Sequence, residues 1–129
     1  MENKDYVGAV LMDLSKAFDC VPHDLLIAKI HAYGFDSDTL ILFYSYLKNR
    51  KQSVKINNVF SSLIVLLSGV PPGSILGPIL FNLFINDLTY FIKQSDLFNY
   101  ADDNTNSAFS KSIPDLIKVL ETESEIAIQ

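Results

Sequence analysis

From Ile56 to Asn86 the chain carries no charged residue, and this run limits the available folds more than any other feature. A run of this length invites a membrane-spanning reading. Gly69, Pro71, Pro72, Gly73, Gly77 and Pro78 interrupt it, however, and its longest stretch free of Gly, Pro, Ser and Asn is five residues, Leu63 to Leu67. A spanning helix needs about 20 consecutive, mostly apolar residues, so no membrane partner is expected. The apolar residues are left to build a core. With 129 residues, 49% of them hydrophobic and 19% charged, the chain has the size of one ordinary domain and is too apolar for disorder. The single cysteine, Cys20, excludes a disulfide scaffold and reads as a small buried apolar residue. The start, Met1 to Lys4, has no apolar signal-peptide core.

The pattern along the chain alternates helices with hairpins. Tyr6 to Leu14 is a short apolar run closed by an acid and reads as a buried strand. Pro22 suits a helix start, the apolar residues from Leu25 to Tyr33 follow at helical spacing, and Gly34 is a natural stop. Ser37 or Asp38 can cap a second helix carrying Leu40, Phe43, Tyr44 and Leu47. Ser53 to Ile56 and Val59 to Leu67 read as strands around an Asn57-Asn58 turn. A rigid loop, Val70 to Ser74, precedes an apolar helix from Ile75 to Ile92. A hairpin bent at Asp102-Asp103 and a final helix from Ser112 complete the order β-α-α-β-β-α-β-β-α. This is an α+β arrangement, an antiparallel sheet with helices on one face.

The formal charge of −5 argues against a free-standing nucleic-acid binder. One segment runs the other way: Lys48, Arg50, Lys51 and Lys55 come without an acid between them, and read either as a phosphate-backbone contact or as a solvated helix end and loop. The carboxylates are more informative. Asp102 and Asp103 stand side by side among apolar residues, although strands are poor in Asp and like charges this close repel. A turn can host them through Asx-type hydrogen bonds. A divalent cation can also stabilise them, and an oxygen-only set suits Mg²⁺ or Mn²⁺. Asp13 ends the first strand, and a strand lying beside the hairpin brings it to Asp102. Two ions held by shared carboxylates can activate a 3′-hydroxyl and stabilise a leaving pyrophosphate. Phe18 reads either as a floor for a nucleotide sugar or as core. His23 and His31 are not needed for such chemistry; His23 reads as structural at a helix start and His31 as solvent-facing.

Three blocks together carry a family resemblance. Asp13-Leu-Ser-Lys-Ala-Phe-Asp-Cys-Val-Pro-His-Asp-Leu-Leu26 resembles the first catalytic motif of reverse transcriptases from non-LTR (LINE-type) retrotransposons. Gly69-Val-Pro-Pro-Gly-Ser-Ile-Leu-Gly-Pro-Ile-Leu-Phe-Asn-Leu-Phe-Ile-Asn-Asp-Leu88 resembles their second motif, and Tyr100-Ala-Asp-Asp103 is similar to the catalytic box of reverse transcriptases in general. The blocks follow the family's order, and the likeness runs from about Tyr6 to the end.

The resemblance implies a ferredoxin-like polymerase palm with its catalytic hairpin packed on helices. It implies RNA-directed DNA polymerase activity, with RNA template, DNA primer and dNTP as partners and two Mg²⁺ (or Mn²⁺) ions as cofactors. Asp13 and Asp102 would be the main metal ligands, Asp103 a supporting carboxylate, and the carbonyl of Leu14 a backbone ligand. Ser15, Lys16 and Ala17 would offer backbone N–H groups to the triphosphate, and Phe18 would sit under the sugar and reject a 2′-hydroxyl. Tyr100 and Ala101 would lie near the primer terminus, Pro72 and Gly73 at the nucleotide, and Gly73 and Ser74 at the template base. A full-length element protein would work in the cytoplasm and nucleus. The sequence departs from the pattern at Pro72, where the family usually has glutamine, and at Asn104, where threonine is usual. Residues 1–129 are therefore expected to be a partial reverse transcriptase domain, a palm without fingers, thumb or endonuclease. The alternative is an inactive or co-opted palm remnant acting as an interaction module. A nucleotidyl cyclase would use a similar sheet and metal pair, but the chain has no base-recognition or ribose-orienting signature.

Overall fold

The computed structural model describes residues 5–100 and 102–128. In chain order the elements are β1 (Tyr6–Asp13), α1 (His23–Ala32), α2 (Ser37–Leu47), β2 (Lys51–Gln52), β3 (Lys55–Ile56), β4 (Val59–Phe60), β5 (Ile64–Val65), α3 (Leu76–Ile85), α4 (Leu88–Phe91), β6 (Asp96–Tyr100), β7 (Asp103–Ser110) and α5 (Ile113–Ile128). They fall into two compact units, one made of residues 5–15 with 85–128 and the other of Lys16–Phe84.

The first unit is a three-stranded antiparallel sheet in the order β1-β7-β6, with α5 against β1 and β7. Strand alternation decides which side is covered. Val10 and the small Gly8 on β1 share a face with Ala108 on β7, and Leu116 and Leu120 of α5 pack there. Gly8 is small for a reason of packing: a Cβ at this position would come 2.9 Å from Leu120 Cδ1. Glu123 of α5 is also buried, and its carboxylate accepts the Lys93 N–H at 2.8 Å.

The second unit holds the helical pair α1 and α2, two short ladders and most of α3. Its buried side chains include Val21, Leu26, Ile30, Leu47, Leu80 and Phe81. The cap of α2 is Asp36 rather than Ser37 or Asp38: its carboxylate accepts both the Thr39 N–H at 2.9 Å and the Thr39 hydroxyl at 3.0 Å. Those two donors hold the Asp36 carboxyl below its ordinary pKa range. Asn57 and Asn58 both take positive φ, 47° and 66°, as a two-residue hairpin turn requires, so the turn forms where the sequence indicates.

Two expected elements are shorter than their apolar runs. The strand from Val59 to Leu67 divides into β4 and β5, which pair with different partners. Ser61 explains the break: its hydroxyl accepts the Val54 N–H at 2.9 Å and replaces a ladder bond. The helix from Ile75 to Ile92 divides into α3 and α4 around Asn86 and Asp87. The Thr89 hydroxyl donates to the Asn86 backbone carbonyl at 2.9 Å and the Tyr90 N–H to the Asp87 carbonyl at 2.9 Å, so a new, short turn starts there. Cys20 is exposed, not buried, because it lies in the bend that precedes α1 rather than on an element face.

Candidate active site

Register assembles the carboxylates. Along β1 and β7, Tyr6 pairs with Ser110 and the ladder runs without a bulge to Asp13 opposite Asp103. Directly opposed residues project to the same face, so Asp13 and Asp103 face each other on the side away from α5. Both are exposed. On the other side of β7, Asp103 pairs with Tyr100, which is 83% exposed, so one row crosses the sheet as Asp13, Asp103, Tyr100. Asp102 is half-buried in the turn between β6 and β7. The cross-strand partner of Asp13 is thus Asp103, and Asp102 stands one residue away from it. Ala101 lies outside the described residues.

Like charges directly opposite each other on a sheet destabilise it. Nothing in the packing of the first unit requires acids on an open face, so the pair is unfavourable by itself and favourable once a cation offsets it. The donor set is all oxygen, the chemistry that Mg²⁺ and Mn²⁺ take. Among the described residues no three or more His, Cys, Asp or Glu side chains form a ready metal cage. The residues present therefore fit a divalent ion that takes further oxygens from water or substrate, as Mg²⁺ usually does.

The segment that follows belongs in part to each unit. Leu14 is half-buried and Ser15 exposed. Lys16 adopts φ 56°, a left-handed conformation that is strained for a residue with a Cβ, and its carbonyl accepts the N–H groups of Asp19 at 2.9 Å and Cys20 at 3.1 Å. Ala17 is half-buried. Phe18, also half-buried, stacks on Phe81 of α3 with ring centroids 4.6 Å apart. Phe81 is itself buried, so the stack attaches the Phe18 ring to the core of the second unit.

Residues 18–22 and 68–70 are tied together. The Val70 N–H donates to the Phe18 carbonyl and the Gly69 N–H to the Val21 carbonyl, both at 2.8 Å. The Ser68 hydroxyl donates to the Asp19 carbonyl at 2.9 Å. Gly69 sits at φ +85°, and a Cβ there would lie 2.8 Å from the Asp19 oxygen, so only glycine fits. Its carbonyl takes two side-chain donors, His23 Nε2 and Arg50 Nη2, each at 2.9 Å. A carbonyl only accepts, so His23 carries its proton on Nε2. His23 is therefore structural, as its place in the motif suggests, whereas Arg50 is turned to a backbone carbonyl rather than spread along the basic segment. Further on, Pro72 and Gly73 are exposed, and Ser74 caps α3 by accepting the Gly77 N–H at 2.9 Å while donating to the Pro71 carbonyl at 2.7 Å. Asp19, Arg50, Gln52, Ser68 and Pro72 line an open cavity of about 630 Å³.

Three contacts escaped sequence reasoning. Arg50 had only its charge to announce it, and charge does not say which carbonyl a guanidinium meets. Phe81 looked like any core aromatic of an apolar helix. Asn104 looked like a mild departure from a motif, yet it is buried and donates from Nδ2 to the Asp102 carbonyl at 3.2 Å.

A family model described as reverse transcriptase (RNA-dependent DNA polymerase) matches residues 1–127. The chain belongs to the reverse transcriptase family. Its relatives include the probable RNA-directed DNA polymerase from transposon BS of Drosophila melanogaster, 38% identical over 109 residues, which are 79% of this chain and 12% of that protein. The RNA-directed DNA polymerase from mobile element jockey of the same fly is 33% identical over 88% of this chain and 13% of its own length. The probable polymerase from transposon X-element of that fly is 32% identical over 79% of this chain. These mobile-element relatives agree with the LINE-type resemblance of the three motifs. This reverse transcriptase chain spans 12–13% of the length of the first two, and its α+β build of antiparallel sheets and helices is that of a polymerase palm.

Proposed function

We propose that this chain forms the catalytic palm of a mobile-element RNA-directed DNA polymerase, which joins a deoxynucleotide to a primer 3′-hydroxyl on an RNA template. The observation that carries the reading is the Asp13–Asp103 cross-strand pair, with Asp102 on the adjoining turn. These acids, with the Leu14 carbonyl, would hold two Mg²⁺ or Mn²⁺ ions. When bound, such ions supply charge stabilisation to the attacking and leaving oxygens of an in-line phosphoryl transfer.

The other roles are those the family resemblance implies, and local geometry supports two of them. The left-handed backbone at Lys16 suits a concave run of N–H groups from Ser15 to Ala17, which would receive the triphosphate. Phe18, braced by Phe81, would lie under the sugar and clash with a 2′-hydroxyl. Pro72 and Gly73 would meet the incoming nucleotide, Ser74 the template, and Tyr100 with Ala101 the primer end. The β1-β7-β6 sheet with α5 on one face would belong to a ferredoxin-like palm. Fingers, thumb and endonuclease would come from a longer polyprotein, residues 1–129 being a partial domain.

The test is a chimera in which this chain replaces the matching segment of the jockey polymerase, assayed by primer extension on RNA with Mg²⁺. The chimera should extend and its Asp13→Asn and Asp103→Asn forms should not; equal extension by all three would overturn the reading. Pro72→Gln should raise incorporation about tenfold by restoring one polar contact. The chain alone should show little or no processive synthesis, and robust incorporation by it would overturn the partial-domain reading.

A second reading, an inert palm used as an interaction module, is favoured by the open sheet face, where Val7, Leu11, Phe98 and Phe109 are exposed. Size exclusion and dye binding separate a self-associating chain from a compact monomer.

A further inference from the structure

The covered face of β7 carries two asparagines where an apolar residue would serve packing better. Asn104 is 3% exposed and Asn106 fully buried, on the strand face that continues to Ala108 and the apolar residues of α5. Among the described residues, Asn104 Oδ1 and both amide atoms of Asn106 have no hydrogen-bond partner. Buried amides without partners oppose folding, so stability does not account for them. The two differ in one respect. Asn104 reaches the turn, donating from Nδ2 to the Asp102 carbonyl; Asn106 has no such contact. The Asp102 carbonyl belongs to the peptide that joins the two adjacent acids. Mutual repulsion tends to splay those acids, and a donor fixed in the core restrains the peptide between them.

We propose that Asn104 is a positioning residue for the Asp102–Asp103 carboxylates, holding the turn from beneath so that the acids meet a divalent cation in one arrangement. The proposal rests on the reading of Asp13, Asp102 and Asp103 as metal ligands. It assigns Asn104 a duty that does not require it to touch the ion.

The experiment is a Mn²⁺ titration of the full chain, followed by the electron paramagnetic resonance signal of free Mn²⁺, with thermal unfolding measured on the same samples. Asn104→Leu should weaken Mn²⁺ binding about tenfold, the size of effect seen when a partner outside the direct ligands is removed, while the melting temperature holds or rises. Asn104→Ala carries the same expectation for affinity and covers the case in which leucine does not fit. Asn104→Thr should restore binding, since a hydroxyl can also donate to the Asp102 carbonyl. Asn106→Leu should leave binding within about twofold of the parent, because it removes an amide that does not touch the turn. Wild-type affinity in both Asn104→Leu and Asn104→Ala, with Asp13→Asn and Asp103→Asn still impaired, overturns the positioning role alone. Loss of affinity that only follows loss of folding, with no rescue by threonine, overturns it too. Unchanged binding in Asp13→Asn and Asp103→Asn removes the ligand reading itself, and this proposal with it.

Discussion

At Gly69 one carbonyl has two side-chain donors and its own N–H is bonded, with further bonds on either side of it. At the Asp102–Asp103 turn, among the described residues, one carbonyl has a single side-chain donor at 3.2 Å, and the strand beyond buries amide atoms with no partner. The first junction is over-determined: removing one bond leaves others to keep the backbone in place. The second is held by the strand ladders on either side and by one side-chain donor, over a core that resists its polar contents. A loop that shapes a pocket gains from the first design. A turn carrying repelling acids, whose charge a bound cation would balance under the proposed function, tolerates the second.

The sharpest way to break this comparison is to add a methyl group on each side of it. Gly69→Ala combines left-handed strain with backbone contacts under 3 Å and should cost more than about 3 kcal/mol, enough to unfold the second unit. Gly8→Ala meets only the flexible ends of Leu120 and Leu116 and should cost about 1 kcal/mol. Denaturant unfolding of the two variants measures the gap; equal losses would mean that the Gly69 junction is not specially constrained.

A double-mutant cycle sharpens the claim of redundancy. His23→Ala and Arg50→Ala should each cost about 1 kcal/mol, since the other donor still serves the Gly69 carbonyl, and the double variant about 3 kcal/mol, since the carbonyl is then orphaned. Simple additivity would show that the two donors act independently.

On the other side, Asn106→Leu should raise stability by about 1 kcal/mol, because it removes two unpartnered buried polar atoms. A lower melting temperature would mean that the amide is satisfied after all. The smallest effect lies at the start of α2. The Asp36 carboxyl is held below its ordinary pKa by the two Thr39 donors. A depressed folded-state pKa adds stability that is complete above the unfolded value and disappears as pH falls through the folded one. The stability difference between wild type and Asp36→Ala should therefore be full at neutral pH and shrink once the solution is more acidic than the ordinary carboxylate range. A difference unchanged down to strong acid would rule the cap bond out.

Much of the local structure was legible in the residues. The Asn57-Asn58 turn, the first strand and the late hairpin follow from periodicity and turn chemistry, which act within a few residues. But β1 is open on one face rather than buried, and Asp103 lies in β7 opposite Tyr100 rather than in the bend. The breaks at Ser61 and at Asn86-Asp87 were not legible, because a hydroxyl that bonds one backbone group has no distinct pattern. The burial of Asn104 was hidden for a related reason. In a strand, facing is decided by register with a neighbour far away in sequence, and Asn104 by itself reads as a turn residue.

The sequence alone determined the family, through three motifs in order, and the presence of carboxylates at two strand ends. Only the tertiary structure decided that Asp13 stands opposite Asp103 with Asp102 beside it in the turn, that Arg50 and His23 share one carbonyl, and that Phe18 leans on Phe81. Motif chemistry is written in residue types at short spacing. Which groups meet is set by strand register and by the packing of segments far apart in the chain, and both depend on the whole fold minimising its unpaired polar groups and exposed apolar surface together.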